Sequence, residues 1–378
     1  MVNKNVLNLK NPTELSGFYL VYKGSVLDET VGFRGVSHLG EHLKCKCFDH
    51  LLEDLDKSGI SWNAYTSDSA VVFYFTGLEE RLNLYRNEMV KLMASSNITE
   101  EQFENERKIV LEEYKDAFND QVYHHAANLE RKKLNDYNAI GEIGDLKNLT
   151  YDNFMKFFEK QYKHPTMIIN VSKDFEYDTD IEFAPVTPKM NVPIKFVENK
   201  DYIHQKSNDF KDKTSIIYMS DIVIEDFAAV KFITSMMGYG LKSPLYYELR
   251  EKRGLVYYVR CSLDDKNDVS GYVNINAITS NDNVKLFMDT LDELLSKPET
   301  FLTQERFDII KDMYYIQFKK RDINRYNNIT DCIASPEWNI EYMLDAITLD
   351  ELKVVYEKYF TNWYKSVDRE EFKDVLEK

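Results

Sequence analysis

The sequence predicts an α+β protein of two duplicated domains, each a mostly antiparallel sheet packed with helices as an α/β roll. Three observations indicate this. The chain has 378 residues, 43% hydrophobic and 30% charged, which is enough for two globular domains. Strand-like and helix-like segments follow one another in the same order in both halves. Sequence segments also recur roughly 200 residues apart. We therefore expect domains at residues 1–190 and 191–378.

The hydrophobic pattern places similar elements in each half. Alternation of apolar and polar residues predicts strands, and a period of 3.6 predicts helices. In the first half the order is a strand at 17–25, two helices within 35–58, strands at 60–67 and 70–77, helices near 79–95, 99–132 and 149–162, and a strand at 166–173. In the second half it is a strand at 214–222, helices at 226–238 and 243–252, and a hairpin over 255–278.

Two recurring segments support the duplication. The segment "ITEEQF" at 98–103 returns as "LTQERF" at 302–307, and in both a threonine at the N-cap position begins a longer helix. The segment "LTYDNFMKFFEKQY" at 149–162 returns as "ITLDELKVVYEKYF" at 347–360. Between the halves, "FAPVTPKMNVPIKF" at 183–196 carries three of the eight prolines and is typical of a linker.

Composition argues against several classes of protein. With 64 acidic and 48 basic residues the formal net charge is -16, and no basic cluster is present to attract a nucleic acid backbone. No run of about 18 apolar residues and no apolar signal segment is seen, so we expect no membrane span and a cytoplasmic location. The four cysteines are too few and too unevenly spaced for a disulfide framework, and we expect Cys45, Cys47, Cys261 and Cys332 to be reduced.

The segment "HLGEH" predicts a metal site. His38 and His42 lie one helical turn apart on the same face, so both imidazoles can reach one ion. Glu41 lies between them, which leaves its carboxylate beside the metal in the HxxEH arrangement of the inverzincins. Gly40 is unusual inside a helix and is expected to loosen it slightly. The alternative interpretation is a solvated polar helix.

A catalytic zinc usually takes three protein ligands, so a third must come from another segment. The helix "TEEQFENERKIVLEEYKDAF" has an apolar stripe defined by Phe103, Val110, Tyr114 and Ala117. Glu106 and Glu113 fall within or beside this stripe, whereas Glu112 points away. A carboxylate on a buried stripe needs a partner such as a metal or a ligated histidine. Ion pairs with Arg107 or Lys108 are the weaker explanation, because those side chains project elsewhere.

These residues resemble the pitrilysin/insulinase family of zinc metallopeptidases, which includes mitochondrial processing peptidase. The resemblance covers nearly the whole chain, which corresponds to a two-domain, half-length form. It implies that His38, His42 and Glu113 bind one Zn²⁺ per chain. It further implies that Glu41 is the general base on the zinc-bound water. Glu106 would support the site by contacting a ligand without binding the zinc itself.

Two further segments are similar to substrate-binding parts of this family. The segment "SWNAYTS" resembles its edge strand beside the zinc, which implies that an extended peptide is held by strand addition at Asn63, Ala64, Tyr65 and Thr66. The segment "GYGLKSPLYYELREKRGLVYYV" resembles its arginine and tyrosine signature. Arg250 and Tyr257 would then hold the substrate carbonyl and steady the oxyanion.

The second half departs from the metal-binding pattern. It has no HxxEH, and Ile310 and Gln317 occupy the positions equivalent to the two glutamates of the first half. Only the first domain is therefore expected to bind zinc. The resemblance implies a zinc-dependent endopeptidase that hydrolyses unfolded peptides or processes a precursor.

Partners and rival functions remain open from the sequence. A two-domain chain would complete its site most simply as a twofold homodimer in which Arg250 and Tyr257 serve the partner's zinc, with a heterodimer containing a related subunit as the alternative. The first rival function is a non-catalytic peptide-binding or assembly subunit. The second is a structural zinc protein that uses Cys45 or Cys47 with His42.

Overall fold

The computed structural model describes residues 5–10, 14–67, 70–93, 95–133, 139–172, 181–185, 201–202, 211–265, 270–321 and 346–376, which form two compact units. The strands are β1 (Val6–Lys10), β2 (Leu15–Lys23), β3 (Ser61–Thr66), β4 (Ala70–Leu78), β5 (Met167–Ser172), β6 (Asp201–Tyr202), β7 (Lys213–Val223), β8 (Val256–Asp265), β9 (Ser270–Ser280) and β10 (Tyr364–Val367). The helices are α1 (Val36–Cys45), α2 (Asp49–Lys57), α3 (Glu79–Leu82), α4 (Arg86–Met93), α5 (Glu100–Ala117), α6 (Gln121–Lys133), α7 (Ile143–Asn148), α8 (Tyr151–Tyr162), α9 (Phe227–Gly238), α10 (Val284–Leu295), α11 (Gln304–Arg321) and α12 (Leu349–Tyr359).

The two sheets have the same strand order, which confirms the predicted duplication. The first is β1-β5-β2-β4-β3 and the second is β6-β10-β7-β9-β8. In each sheet the first pair is parallel and the other pairs are antiparallel. The α+β class and the mostly antiparallel sheets are as the sequence predicted. In this order β3 is an edge strand.

The core of the first unit explains why α1 is held firmly. Within strand β2, residues 18–22 form a continuous apolar run that is buried on both faces, as is usual for a central strand covered on both sides. Phe18 and Leu20 share one hydrophobic core with Leu39 and Leu43 of α1. Tyr19 and its neighbours pack into a second, smaller core on the opposite face of the sheet. Helix α1, which carries the predicted metal ligands His38 and His42, is therefore anchored by its apolar side to the centre of the sheet.

Threonine caps begin the repeated helices, as the sequence predicted. The hydroxyl of Thr99 accepts the backbone N–H of Gln102 at the start of α5, and that of Thr303 accepts the N–H of Arg306 at the start of α11. Thr150 caps α8 in the same way, through the N–H of Asn153. Each cap satisfies a backbone donor that would otherwise have no partner within the helix.

Several elements differ from the sequence-based expectations. The helix expected over 99–132 breaks after Ala117, and α6 packs with the second unit. The first compact unit therefore lacks α6, and the domain boundary near residue 190 stays a prediction. The helix expected at 243–252 is a π-helical turn at Tyr246–Glu251. Most of the expected linker, and Cys332, lie outside the described residues.

Other expectations concern thiols and membranes. The three described cysteines are free thiols, as expected. Within the described ranges, none of the helices combines the length and apolar character that a membrane span requires. The cytoplasmic location stays a prediction.

Helix α6 is attached to the second sheet through buried polar contacts. The His125 ring is fully buried, with Nδ1 2.9 Å from Ser215 Oγ and Nε2 2.9 Å from Ser366 Oγ. Gln121 Nε2 donates to Asp368 Oδ2 at 2.8 Å. Buried polar groups are costly unless they find partners, so this network defines one docking position for the helix.

This network predicts a pH dependence of stability. Burial, with the neighbouring His124, lowers the pKa of His125 from 6.5 to about 3. Below pH 6.5 the histidine binds a proton in the unfolded chain but not in the folded chain. The free energy of unfolding therefore decreases by about 1.4 kcal/mol for each unit by which the pH is lowered between 6.5 and about 3. Asp368 acts in the opposite sense, because burial raises its pKa from 3.8 to about 6 and the folded state then gains stability as pH falls between those values.

Comparing the wild-type protein with His125→Asn isolates the contribution of His125 to the pH dependence of stability, since Asp368 is present in both proteins. Urea unfolding should show the wild type more stable at pH 7.5, with the difference in unfolding free energy narrowing by about 2–3 kcal/mol by pH 4.5. A difference that stays constant over this pH range would contradict the buried neutral state of His125.

Candidate metal centre

The first turn of α1 is fixed by a buried carboxylate upstream of it. Glu29 Oε2 accepts the N–H of Gly35 and Oε1 accepts the N–H of Ser37, both at 2.7 Å. Burial raises the pKa of Glu29 to about 7, against the lowering effect of these hydrogen bonds. Gly35 has φ 94°, a left-handed conformation that suits glycine at this turn. Sequence reasoning missed Glu29, because no helical spacing relates it to the motif.

Gly40 permits close helix packing, and the loosening expected from its helix propensity stays a prediction. A Cβ atom at this position would lie 2.5 Å from the Tyr162 ring, so only glycine permits the observed approach of α1 to α8. The Tyr162 hydroxyl donates to Ser37 O at 2.7 Å. Lys44, fully buried, donates from Nζ to Tyr162 O at 2.8 Å. These contacts hold α1, which carries both histidines, tightly against α8.

Three donors from α1 and α5 converge on one point. Glu113 Oε2 lies 3.6 Å from His38 Nε2 and 3.5 Å from His42 Nε2. Ligands about 2.0–2.1 Å from a tetrahedral zinc are about 3.4 Å apart, so the donor chemistry and the two distances to Glu113 fit this ion. Within the part of the chain that the structure describes, this is the one such group of three, and neither Cys45 nor Cys47 belongs to it.

Burial keeps the His38 imidazole suited to binding a cation, and a hydrogen-bond partner orients the His42 imidazole. Burial, with the neighbouring His42, lowers the pKa of His38 to about 4, so the ring is neutral near pH 7 and its nitrogen lone pair is free. His42 Nδ1 lies 3.2 Å from Glu106 Oε2, which directs the other ring nitrogen toward Glu113. The ordering role predicted for Glu106 is thus consistent with its position, buried on α5 beside Val110.

Glu106 has a basic partner that the sequence reasoning did not identify. Its Oε1 lies 3.2 Å from Lys46 Nζ. The alternative partner Arg107 instead pairs with Glu104 and donates to the carbonyl of Leu149. The sequence did contain a signal for this contact. Lys46 follows His42 by four residues, which places both side chains on one side of the helical turn and so near the same glutamate.

Glu41 lies beside the three donors without belonging to their group. Its side chain is buried, and Thr66 Oγ1 donates to its Oε2 at 2.5 Å. Burial raises the pKa of the Glu41 carboxyl, and the Thr66 hydrogen bond opposes that rise. A buried carboxylate with a raised pKa is suited to accepting and returning a proton near neutral pH.

The predicted peptide-binding residues all lie on the edge strand β3. The backbone N–H of Ala64 donates to Asn63 Oδ1 at 2.9 Å. Trp62 and Ala64 pack against the core that contains α1, whereas Tyr65 packs against the core on the opposite face. The strand therefore presents alternate side chains to the face of the sheet on which α1 packs.

The second unit brings Arg250 and Tyr257 together. The Arg250 guanidinium carbon lies 5.1 Å from the centroid of Tyr257 and 4.7 Å from that of Tyr246. A β-bulge between Val256 and Tyr258 leaves Tyr257 outside the described pairing of β8 with β9, and its side chain is 84% exposed. Tyr246 was missed by sequence reasoning, although its spacing of four residues from Arg250 was visible. Ile310, the counterpart of Glu106, is fully buried in the second core.

Comparisons with known proteins agree with this architecture. Residues 6–139 match the model of the insulinase family, peptidase family M16, and residues 148–314 match the model described as the peptidase M16 inactive domain. An uncharacterized zinc protease of Rickettsia bellii is 23% identical, over 92% of this chain and 93% of its own length. The beta subunit of the mitochondrial-processing peptidase of Saccharomyces cerevisiae is 21% identical over 44% of this chain and 39% of its own. The crystal structure of a protease from Helicobacter pylori has the same fold, with a TM-score of 0.82, 18% identity and 98% coverage of both chains.

Proposed function

Since the chain belongs to the M16 or insulinase family of peptidases, we propose that it is a zinc-dependent endopeptidase acting on unfolded peptides. The observation that carries this proposal is the convergence of His38, His42 and Glu113 with Glu41 beside them. Relatives that match most of the chain are named zinc proteases, which supports the same metal. Processing of a precursor and degradation of peptides are both compatible with this chemistry.

The proposed mechanism assigns one task to each side chain. His38, His42 and Glu113 would hold one zinc, which supplies a Lewis acid for the scissile carbonyl and lowers the pKa of a bound water. Glu41 would take a proton from the attacking water at its carboxylate and deliver it to the departing amine nitrogen. Glu106 would hold the His42 ring in the binding orientation.

The outer edge of β3, which pairs with no other strand among the described residues, is the proposed substrate site. Only extended chains can pair with a strand edge, so a folded substrate would have to unfold locally first. A peptide carbonyl that accepts the Ala64 N–H would replace Asn63 Oδ1, which accepts it in the free protein. We further propose that the Arg250 guanidinium and the Tyr257 hydroxyl donate to the substrate carbonyl and its oxyanion.

The rival interpretation is a non-catalytic peptide-binding or assembly subunit. The domain model described as inactive matches residues 148–314, a segment that contains neither the HxxEH motif nor Glu113. The first half retains the three proposed zinc donors and Glu41 beside them. We therefore favour catalysis.

The experiment that tests the function compares one protein substrate in two states. A reduced and carboxymethylated protein should be cleaved, whereas the same protein in its folded form should resist. A quenched peptide library should report cleavage sites within chains, as expected of an endopeptidase. Release of terminal residues alone, or no cleavage by the zinc-loaded protein, would contradict the proposal.

We also propose that the active protein is a twofold homodimer in which Arg250 and Tyr257 of one chain serve the zinc of the other, with a heterodimer as the alternative. Mixing Glu41→Gln chains with Tyr257→Phe chains should then restore activity. In the mixed dimer, one of the two sites has both an intact Glu41 and an intact Tyr257. Mixtures no more active than the two separate variants, despite proven subunit exchange, would exclude shared sites.

A further inference from the structure

We infer that Thr66 is a positioning residue for Glu41, so that the strand proposed to bind the peptide also orients the proposed general base. This inference rests on the proposed peptidase function. Its basis is the hydrogen bond from Thr66 Oγ1 to Glu41 Oε2 at 2.5 Å. Strand addition involves only the backbone of Thr66, so the predicted peptide binding gives its side chain no role.

The position of the hydroxyl follows from strand geometry. Successive side chains of a strand point to opposite faces, so Thr66 shares the face of Trp62 and Ala64. Both of those pack against the core to which α1 contributes. The end of the strand is fixed, because Thr66 pairs with Val71 and Ser67 N donates to Ala70 O at 2.8 Å. Thr66 is therefore presented to α1 from a well-defined backbone.

The Glu41 carboxylate depends on this contact. Among the described residues, Thr66 supplies the one side-chain hydrogen bond to Glu41. The last torsion of a glutamate is broad, so without the hydroxyl the carboxylate can rotate among several orientations. A proton acceptor must lie within hydrogen-bond reach of the water it deprotonates, and small displacements reduce the rate strongly.

The contact also couples substrate binding to catalysis. A peptide that adds to the outer edge of β3 would restrain the backbone at Thr66, and with it the orientation of the hydroxyl that holds Glu41. Part of the binding energy of a longer peptide would then appear as a higher kcat rather than as tighter binding alone. This predicts that kcat rises with the length of the segment that pairs with β3, and that the rise depends on the Thr66 hydroxyl.

The test uses Thr66→Val, which keeps the shape of the side chain and removes the hydroxyl, and Thr66→Ser, which keeps the hydroxyl. Thr76→Val is the matched control, since Thr76 lies on β4 and donates to Ser61 O instead of to Glu41. We expect Thr66→Val to lower kcat about 10- to 100-fold with KM, zinc content and Tm nearly unchanged. Thr66→Ser should retain most of the activity, and the dependence of kcat on peptide length should persist in Thr66→Ser and Thr76→Val but not in Thr66→Val.

Crystal structures of the two Thr66 variants provide a readout that does not require activity. The Glu41 carboxylate should occupy one orientation in Thr66→Ser and more than one, or a different one, in Thr66→Val. Unchanged kcat together with an unmoved carboxylate in Thr66→Val would overturn the inference while leaving the peptidase proposal intact. If the zinc-loaded wild type cleaves no peptide, the proposed function fails, and the crystallographic comparison still decides whether Thr66 positions Glu41.

Discussion

Glu41→Gln should abolish detectable peptide hydrolysis while the protein still binds about one zinc per chain. The amide has nearly the same shape as the carboxylate but cannot accept the proton of the attacking water. Loss of a general base typically lowers the reaction rate by about 10²- to 10⁴-fold, and by more when no other group can replace it. The metal should remain because Glu41 lies outside the group formed by the three donors. Steady-state hydrolysis and metal analysis of the same sample measure both quantities.

Glu53→Gln is a suitable control for this substitution. Glu53 lies on the exposed side of α2 and pairs with Lys57, so the same change of charge should leave hydrolysis near the wild-type rate. Near-normal turnover by Glu41→Gln, or loss of its zinc, would show that the role assigned to Glu41 is wrong.

Glu113→Gln should weaken zinc binding more than any other single change on α5. Glu113 Oε2 faces both histidine nitrogens, and its replacement by a neutral amide removes the negative charge of the donor set. Glu106→Gln removes a partner of His42 instead, and substitutions of such outer partners typically reduce metal affinity by about 10- to 100-fold. We expect Glu113→Gln to reduce zinc affinity by a larger factor than Glu106→Gln does. Competition with a chelator of known affinity measures both reductions.

Two control variants separate this prediction from nonspecific effects. Glu112→Gln changes an exposed neighbour that pairs with Lys115, and should bind zinc as the wild type does. The double variant Cys45→Ser with Cys47→Ser should also retain the metal, because neither thiol belongs to the donor group. Zinc release from the cysteine variant together with retention by Glu113→Gln would support the structural zinc site instead.

The sequence predicted those parts of the site that depend on periodicity within one helix. The spacing of His38 and His42 places both on one face, and the phase of α5 pointed to Glu113 and Glu106. Contacts between elements could not be derived in this way. Glu29 lies in a loop and Thr66 on a strand, and nothing in their spacing relates either of them to α1.

The fold was predictable to a similar degree. Repeated segments and the alternation of apolar and polar residues indicated two similar units. The identical strand order of the two sheets agrees with that prediction. An amphipathic pattern shows that a helix covers an apolar surface but not which surface, so the packing of α6 with the second unit was not visible. The π-helical turn at Tyr246–Glu251 was read as an α-helix because both kinds of helix suit the same residues over one or two turns.

Zinc held by His38, His42 and Glu113 should be required for peptide hydrolysis. The most direct measurement is a zinc titration of the metal-stripped protein, followed by hydrolysis of a quenched peptide. We expect no hydrolysis before zinc is added, a linear rise in rate, and a plateau at about one zinc per chain. Full activity in the stripped protein, or no activity at any zinc content, would exclude zinc-dependent hydrolysis at this site.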